Sequence, residues 1–425
     1  MKFNRIGDTL GALRPMPLIH RMIKRIPLQQ LKPGMFVHDL NCSWVVHPMF
    51  LTRFKVKSDQ EIEKIAALGV REVYIDSALG DDLLDALTMD EVKQDIEAEL
   101  QKLVETAGNM PESRVSKNEE IEAAIGIHQR ANHVIRNIMS DVRLGRQLER
   151  GGIEEAIEGI ADSVLRNSNA LIQLSQIKNK DDYTFLHSVG VCALMTSFCN
   201  VLHLGKDVTR QVSVGGLMHD IGKMQVPNEI LNKPGRLTEM EFDEMKNHVV
   251  YGRDLVAGVE WFTPIARAVL EQHHERYDGT GYPAGSKGAA ISQFGQMAAI
   301  VDVYDAITAE RVYHQAMAPV DALRKLQEWS KFHFNEELVH HFIRSVGIYP
   351  VGTTVMLESG LLGIVVEQNG ADLLRPVLRV VYDTGKSWAV TPYDLDLAVS
   401  GRADRIVSHE LPERWGIDVQ LHLNG

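Results

Sequence analysis

The run HHERYDGTGYP, from His273 to Pro283, sets two histidines and an acidic residue side by side, and GLMHDIGK sets His219 beside Asp220. Neutral imidazole nitrogens and carboxylate oxygens are donors that a divalent cation takes. With three further residues they make a candidate ligand set: His187, His219, Asp220, His248, His273, His274 and Asp302, at successive spacings of 32, 1, 28, 25, 1 and 28 residues. That rhythm fits one or two donors contributed by each of several stacked helices. Seven donors are too many for a single tetrahedral ion, so two ions with a carboxylate able to bridge them are the natural count. Paired polar residues inside otherwise apolar helices also need strong partners to offset desolvation. His128, His133, His203 and His333 have no such neighbour and read as surface or satisfied core residues.

His219-Asp220 together with HHERYDGTGYP resembles the HD-GYP family, a branch of the HD-domain metal phosphohydrolases. DDYTFLHSVGV around His187, HDIGKMQVPNEILNKPGRLTEMEF from His219 onward and VDVYDAITAERVYH around Asp302 extend the likeness in the family's order, over roughly residues 175–350. The resemblance implies hydrolysis of cyclic di-GMP, first to linear pGpG and in many members onward to GMP, at a centre of two or three metals that is often iron or manganese. The residue chemistry suits that reaction class. Two closely spaced cations can supply a nucleophile at neutral pH, neutralise the non-bridging oxygens and stabilise the leaving alkoxide.

Lys223, three residues beyond Asp220, is expected to set its charge against the scissile phosphate; the plain alternative is a surface lysine. Asp305 lies about one helical turn beyond Asp302. The resemblance puts it near the substrate phosphate or its attacking water, where it would handle a proton. Tyr282, in a loop shaped by Gly279, Gly281 and Pro283, is a candidate substrate contact, or else part of a plain loop capping the core. Arg311 is a candidate for bidentate phosphate or guanine contact.

Two departures from the family pattern matter. Where members commonly carry Pro before Tyr and a basic residue after it, this chain reads Arg311-Val312-Tyr313-His314-Gln315. His314, mostly neutral at pH 7, is expected to hold a phosphate more weakly than Arg or Lys. Three-metal members carry a glutamate four residues before the first histidine, and Tyr183 stands there. Phenol is a poor ligand beside carboxylate, so two ions are expected and a third is not, although Asp182 is close by. Mixed His/carboxylate ligation also admits nickel, zinc or magnesium. Two rival readings stay open: a phosphohydrolase of another cyclic dinucleotide or nucleotide, and a catalytically weak cyclic di-GMP sensor or scaffold that binds a partner protein.

The elements that must position these groups give a multidomain chain: an all-α HD-type helical catalytic core, preceded by a small α+β accessory domain and followed by a small β-rich extension. The expected boundaries are a basic arm over 1–25, the accessory domain over 26–87, a helical connector over 88–175, the HD-GYP catalytic domain over 176–346 and the β-rich extension over 347–425. A capping box from Ser58 and Glu61 is expected to start a helix in the accessory domain, and Asp90 to cap the first connector helix. The connector helices repeat apolar residues at three and four residue intervals, which serves either intrachain packing or a homodimer seam. The stretch 237–256 reads as one helix carrying His248, and beyond 347 the period becomes strand-like. A regulatory protein partner is expected at the accessory domain.

The 425 residues with 44% hydrophobic content suffice for several cores, and a net charge of -12 argues against a nucleic acid polymer as partner. Small anionic nucleotides stay eligible, because metals invert the field inside one pocket. Cys42, Cys192 and Cys199 form no paired framework, MKFNRIGDTLGALRPMPL holds no apolar segment of the length expected of a signal peptide, and with no run of about 20 apolar residues no membrane span is expected. The expectation is a soluble cytoplasmic protein.

Overall fold

The computed structural model describes residues 22–42, 53–106, 114–176, 183–309, 316–399 and 404–423. Arg311, His314, Asp182 and all of the basic arm before Met22 lie outside them. The chain divides into two compact units, Met1–Asn41 with Leu51–Val92, and Cys42–Phe50 with Lys93–Gly425.

In the first unit the strands β1 (Ile23–Pro27), β2 (Phe36–Asp39), β3 (Phe54–Lys55) and β4 (Glu72–Asp76) form an antiparallel sheet in the order β1-β4-β2-β3, with the helix α1 (Asp59–Ala67) between β3 and β4 in the chain. Ile26, Val37, Ile65, Val73 and Ile75 make its buried core. Ser58 is the N-cap of α1, but the expected capping box does not close. The Glu61 carboxylate accepts the amide of Lys57 at 2.8 Å instead. One residue further out, that charge still faces the positive end of the helix.

The unit boundary falls within α2 (Met89–Thr106). Its cap is Thr88 rather than Asp90: Glu91 N–H donates to Thr88 Oγ1 at 3.2 Å and Glu91 Oε2 accepts the Thr88 amide at 2.8 Å. The Thr-x-x-Glu spacing wins because both partners reach each other, whereas Asp90 already lies inside the first turn.

The second unit is a helical core followed by a sheet. Its helices are α3 (Lys117–Arg143), α4 (Ile153–Gln176), α5 (Tyr183–Val201), α6 (Lys206–Met218), α7 (Asn228–Leu231), α8 (Glu239–Lys246), α9 (His248–Leu255), α10 (Pro264–Gln272), α11 (Gln293–Thr308), α12 (Pro319–Trp329) and α13 (Glu336–Val346). On α3, Ala124, Ile127, Ala131, Ile135 and Met139 recur at helical spacing and meet Ile153, Ile157, Ile160 and Val164 of α4, so the connector's apolar stripe is spent within the chain. Burying each large aliphatic side chain stabilises the fold by about 1.5–3 kcal/mol.

Thr184–Val201 of α5 is long and apolar enough to cross a membrane by length and composition, but 78% of it is buried inside the protein. A helix apolar all round belongs to a core when neighbours cover it. It packs against α3, α4, α6, α11 and α13.

The strands β5 (Thr354–Leu357), β6 (Leu361–Glu367), β7 (Val377–Asp383), β8 (Trp388–Asp396) and β9 (Ile406–His409) form an antiparallel sheet ordered β8-β7-β6-β5-β9, closed by the short helix α14 (Val419–Leu423). Leu423 packs with Val351, Ile364, Val366 and Val381. Along the chain, then, one four-stranded sheet comes before the helical core and one five-stranded sheet comes after it.

Candidate metal centre

The candidate ligands cluster at helix ends. α6 stops at Met218, His219 is its C-cap, and Asp220 opens a 3-10 turn over Ile221–Gln225. Gly222 in that turn lies against α9, where a Cβ would collide with the His248 carbonyl oxygen and the Gly252 amide. The single helix expected over 237–256 is broken at Asn247, which ends α8 and lets His248 begin α9. Glu244 holds that corner by accepting from Asn247 Nδ2 at 3.1 Å and Tyr251 Oη at 2.7 Å. α10 ends at Gln272, with His273 as its C-cap and His274 just beyond. His187 and Asp302 project from inside α5 and α11.

Three of the histidines are tethered in the same way. Nδ1 of His219 lies 2.8 Å from the Gly216 carbonyl, Nδ1 of His248 lies 2.7 Å from that of Met245, and Nδ1 of His273 lies 2.7 Å from that of Leu270. A carbonyl only accepts, so each Nδ1 carries the proton and each Nε2 presents a lone pair. His187 Nδ1 is 2.5 Å from Asp305 Oδ2, which fixes its Nε2 likewise.

These lone pairs converge. His187 Nε2 and His219 Nε2 are 3.2 Å apart, and His248 Nε2 and His273 Nε2 are 3.3 Å apart. Facing lone pairs repel unless a cation or proton lies between them. Asp220 divides its oxygens between the two pairs: Oδ2 is 3.3 Å from His219 Nε2 and 3.6 Å from His187 Nε2, while Oδ1 is 3.5 Å from His248 Nε2 and 3.9 Å from His273 Nε2. Asp302 does the same, with Oδ1 3.0 Å from His187 Nε2 and Oδ2 3.7 Å from His274 Nδ1.

All seven side chains are buried, and Asp220 Oδ1 and His274 Nδ1 have no hydrogen-bond partner. Burial drives the imidazoles of His273 and His274 well below the ordinary histidine range and that of His248 down to about 4. Burial opposes ionisation of Asp220 too, but His219 and Lys223 outweigh it and hold the carboxyl well below its usual range. Neutral His248, His273 and His274 beside an ionised Asp220 are the protonation states metal binding requires, whereas at His219 burial is outweighed by Asp220, which raises the imidazole. Orphaned buried donors, facing lone pairs and a split carboxylate fit two clustered His/Asp groups that hold a binuclear centre.

Among the other expected site residues, Lys223 Nζ lies 2.6 Å from Asp220 Oδ2 and its side chain is 23% exposed, so it faces both the cluster and solvent. Tyr282 stacks on His274, ring centroids 4.6 Å apart. Asp305 is buried against His187. Arg311 and His314 lie outside the described residues. Glu275, the acidic residue of HHE that sequence reasoning gave no role, is 2% exposed and accepts the amides of Ala284 at 2.8 Å and Ser286 at 2.9 Å. Its place directly after a double histidine was the one signal for it.

Residues 160–338 match the HD domain, and residues 23–152 match a domain of unknown function, DUF3391. A cyclic di-GMP phosphodiesterase of Pseudomonas aeruginosa is 38% identical over 395 residues, covering 93% of this chain and 94% of that protein. The chain belongs to the HD-GYP family of HD-domain proteins. The chain is also similar to a 3'3'-cGAMP-specific phosphodiesterase of Vibrio cholerae, 36% identical over 36% of this chain and 35% of that protein. Among solved structures, an HD-GYP-type protein of Bdellovibrio bacteriovorus aligns over 75% of this chain and 98% of its own, with 17% identity and a TM-score of 0.43.

Proposed function

We propose that this protein is a metal-dependent phosphodiesterase that opens cyclic di-GMP to linear pGpG. The observation that carries the reading is the split carboxylate of Asp220, one oxygen toward His187 and His219 and the other toward His248 and His273. A relative matched along nearly its whole length bears the name of that activity.

His187, His219 and Asp302 would hold one cation, His248, His273 and His274 the other, with Asp220 shared. When bound, a pair of divalent cations, iron or manganese in this reading and without a third, neutralises phosphate oxygens and acidifies water. Hydrolysis adds water across one diester: a P–O bond forms to the water oxygen, the P–O3′ bond breaks and a proton passes to the departing 3′ oxygen. Lys223, ion-paired to Asp220 and part-exposed, brings the ammonium to a non-bridging phosphate oxygen. The Nδ1 tethers keep four Nε2 atoms aimed inward, so little reorganisation is needed as charge develops on the phosphate. Asp305 orients His187, and Arg311 and His314 hold the distal part of the substrate in this reading. Location in the cytoplasm belongs to the same proposal, in keeping with Cys192 and Cys199 as buried free thiols.

Anaerobic purification, metal analysis and a substrate panel test it. Faster turnover of cyclic di-GMP than of 3'3'-cGAMP or a nucleoside monophosphate is expected; preference for the monophosphate would overturn the assignment.

A further inference from the structure

Four of the five histidines in the centre have a hydrogen bond that fixes the ring: His187 to Asp305, and His219, His248 and His273 to carbonyls three residues back. His274 has none among the described residues, and it is the ligand that faces the centre through Nδ1 rather than Nε2. Metal-binding imidazoles ordinarily depend on such a partner for orientation. The His274 ring meets the edges of its fellow ligands His273 and His248, tilted by 45° and 86°, and the ring that stacks on it is Tyr282, with centroids 4.6 Å apart and planes 29° apart.

The loop that carries Tyr282 is fastened to the backbone of the ligand pair itself. The Tyr282 amide donates to the His274 carbonyl at 3.1 Å. Gly281 lies flat on the same segment, where any Cβ would collide with the backbone of His274, Glu275 and Arg276. Beyond Pro283 the buried Glu275 carboxylate takes the amides of Ala284 and Ser286, one on each oxygen. The residue after the ligand thus latches the loop whose ring covers the ligand.

We propose that Tyr282 is a positioning residue for the metal centre: its aromatic face, held in place by the Glu275 latch, orients His274 toward the ion it shares with His248 and His273. Ring stacking takes the part that a hydrogen bond plays at the other four histidines. The proposal rests on the binuclear reading above and gives Tyr282 a task separate from any substrate contact through its hydroxyl. Removing the ring should weaken one ion only, because His187, His219 and Asp302 keep their own supports.

The test is anaerobic calorimetric titration of Mn²⁺ into the metal-free full-length protein, with Tyr282→Phe, Tyr282→Leu and Glu275→Gln variants. Wild type and Tyr282→Phe should take two ions with matching affinities. Tyr282→Leu, which keeps bulk and loses the aromatic face, should bind one ion normally and the other about tenfold or more weakly. Glu275→Gln puts an amide N–H against a backbone N–H and should weaken the same ion. It carries the test if the leucine variant does not fold. Two unaltered sites in Tyr282→Leu, or in Glu275→Gln where that variant stands in, would overturn the proposal, as would equal losses in the Phe and Leu variants. A wild-type protein that binds no second ion would instead take down the binuclear reading on which the proposal stands.

Discussion

Asp305 Oδ2 lies 2.5 Å from His187 Nδ1, and both side chains are buried. This pairing of a carboxylate with the far nitrogen of a metal-facing imidazole fixes the tautomer and raises the basicity of Nε2. Asp305→Ala should therefore weaken metal binding by about 10–100-fold, whereas Asp305→Asn, which still offers an oxygen to Nδ1–H, should lose less. Metal titration of the two variants checks this. Unchanged metal affinity in both, with turnover lost, would assign Asp305 to proton handling at the substrate instead.

Asp220 and Lys223 form an ion pair yet should separate cleanly on substitution. Asp220→Ala removes the carboxylate that faces both histidine pairs, so metal and activity should vanish together. Lys223→Ala should retain two ions and lose turnover, since the ammonium is no metal ligand. Elemental analysis beside a turnover assay reads both outcomes, and loss of metal from the lysine variant would contradict its assignment to phosphate.

Gly222 should tolerate no side chain. A Cβ there meets the His248 carbonyl and the Gly252 amide, and backbone atoms cannot swing aside as a flexible side chain does. Gly222→Ala should cost about 1–3 kcal/mol and displace His248 from its partners. Thermal unfolding with chelator isolates the packing cost, and an unshifted midpoint would show that α9 moves freely.

Away from the centre, Glu120 of α3 is buried and accepts from Ser163 Oγ at 2.7 Å and from Arg166 Nε and Nη2 of α4 at 2.6 and 2.9 Å. Burial alone would raise its pKa, but the Arg166 and Ser163 bonds outweigh burial and lower it. A carboxyl depressed in the folded state adds stability above its unfolded pKa and loses it as pH falls through the folded value. Glu120→Gln should thus be destabilising by about 1–3 kcal/mol at neutral pH, with a smaller difference near pH 3. Urea melts at both values check the sign.

The clustering of the His and Asp side chains was legible in the sequence because they occur as adjacent pairs and at repeated intervals, a pattern that an isolated core histidine does not make. The helices that carry them were legible from apolar periodicity, although the break at Asn247 was not, since the apolar pattern runs through it and the corner depends on Glu244 reaching Tyr251. Caps were misread where two candidates competed, as with Thr88 and Asp90. The pairing of β9 with β5, at the edge of the C-terminal sheet opposite β8, is a long-range contact that strand periodicity does not encode. The task of Glu275, as distinct from its place after the double histidine, was hidden for a related reason: its partners are the backbone amides of Ala284 and Ser286, which carry no residue signature.

In the proposed reading His187, His219, Asp220, His248, His273, His274 and Asp302 gather two cations around one phosphodiester bond. Chromatography of cyclic di-GMP incubated with protein loaded anaerobically with iron or manganese tests it most directly. Linear pGpG should appear with the loaded protein and be absent after chelation; cyclic di-GMP recovered intact from protein that holds two ions would contradict the account.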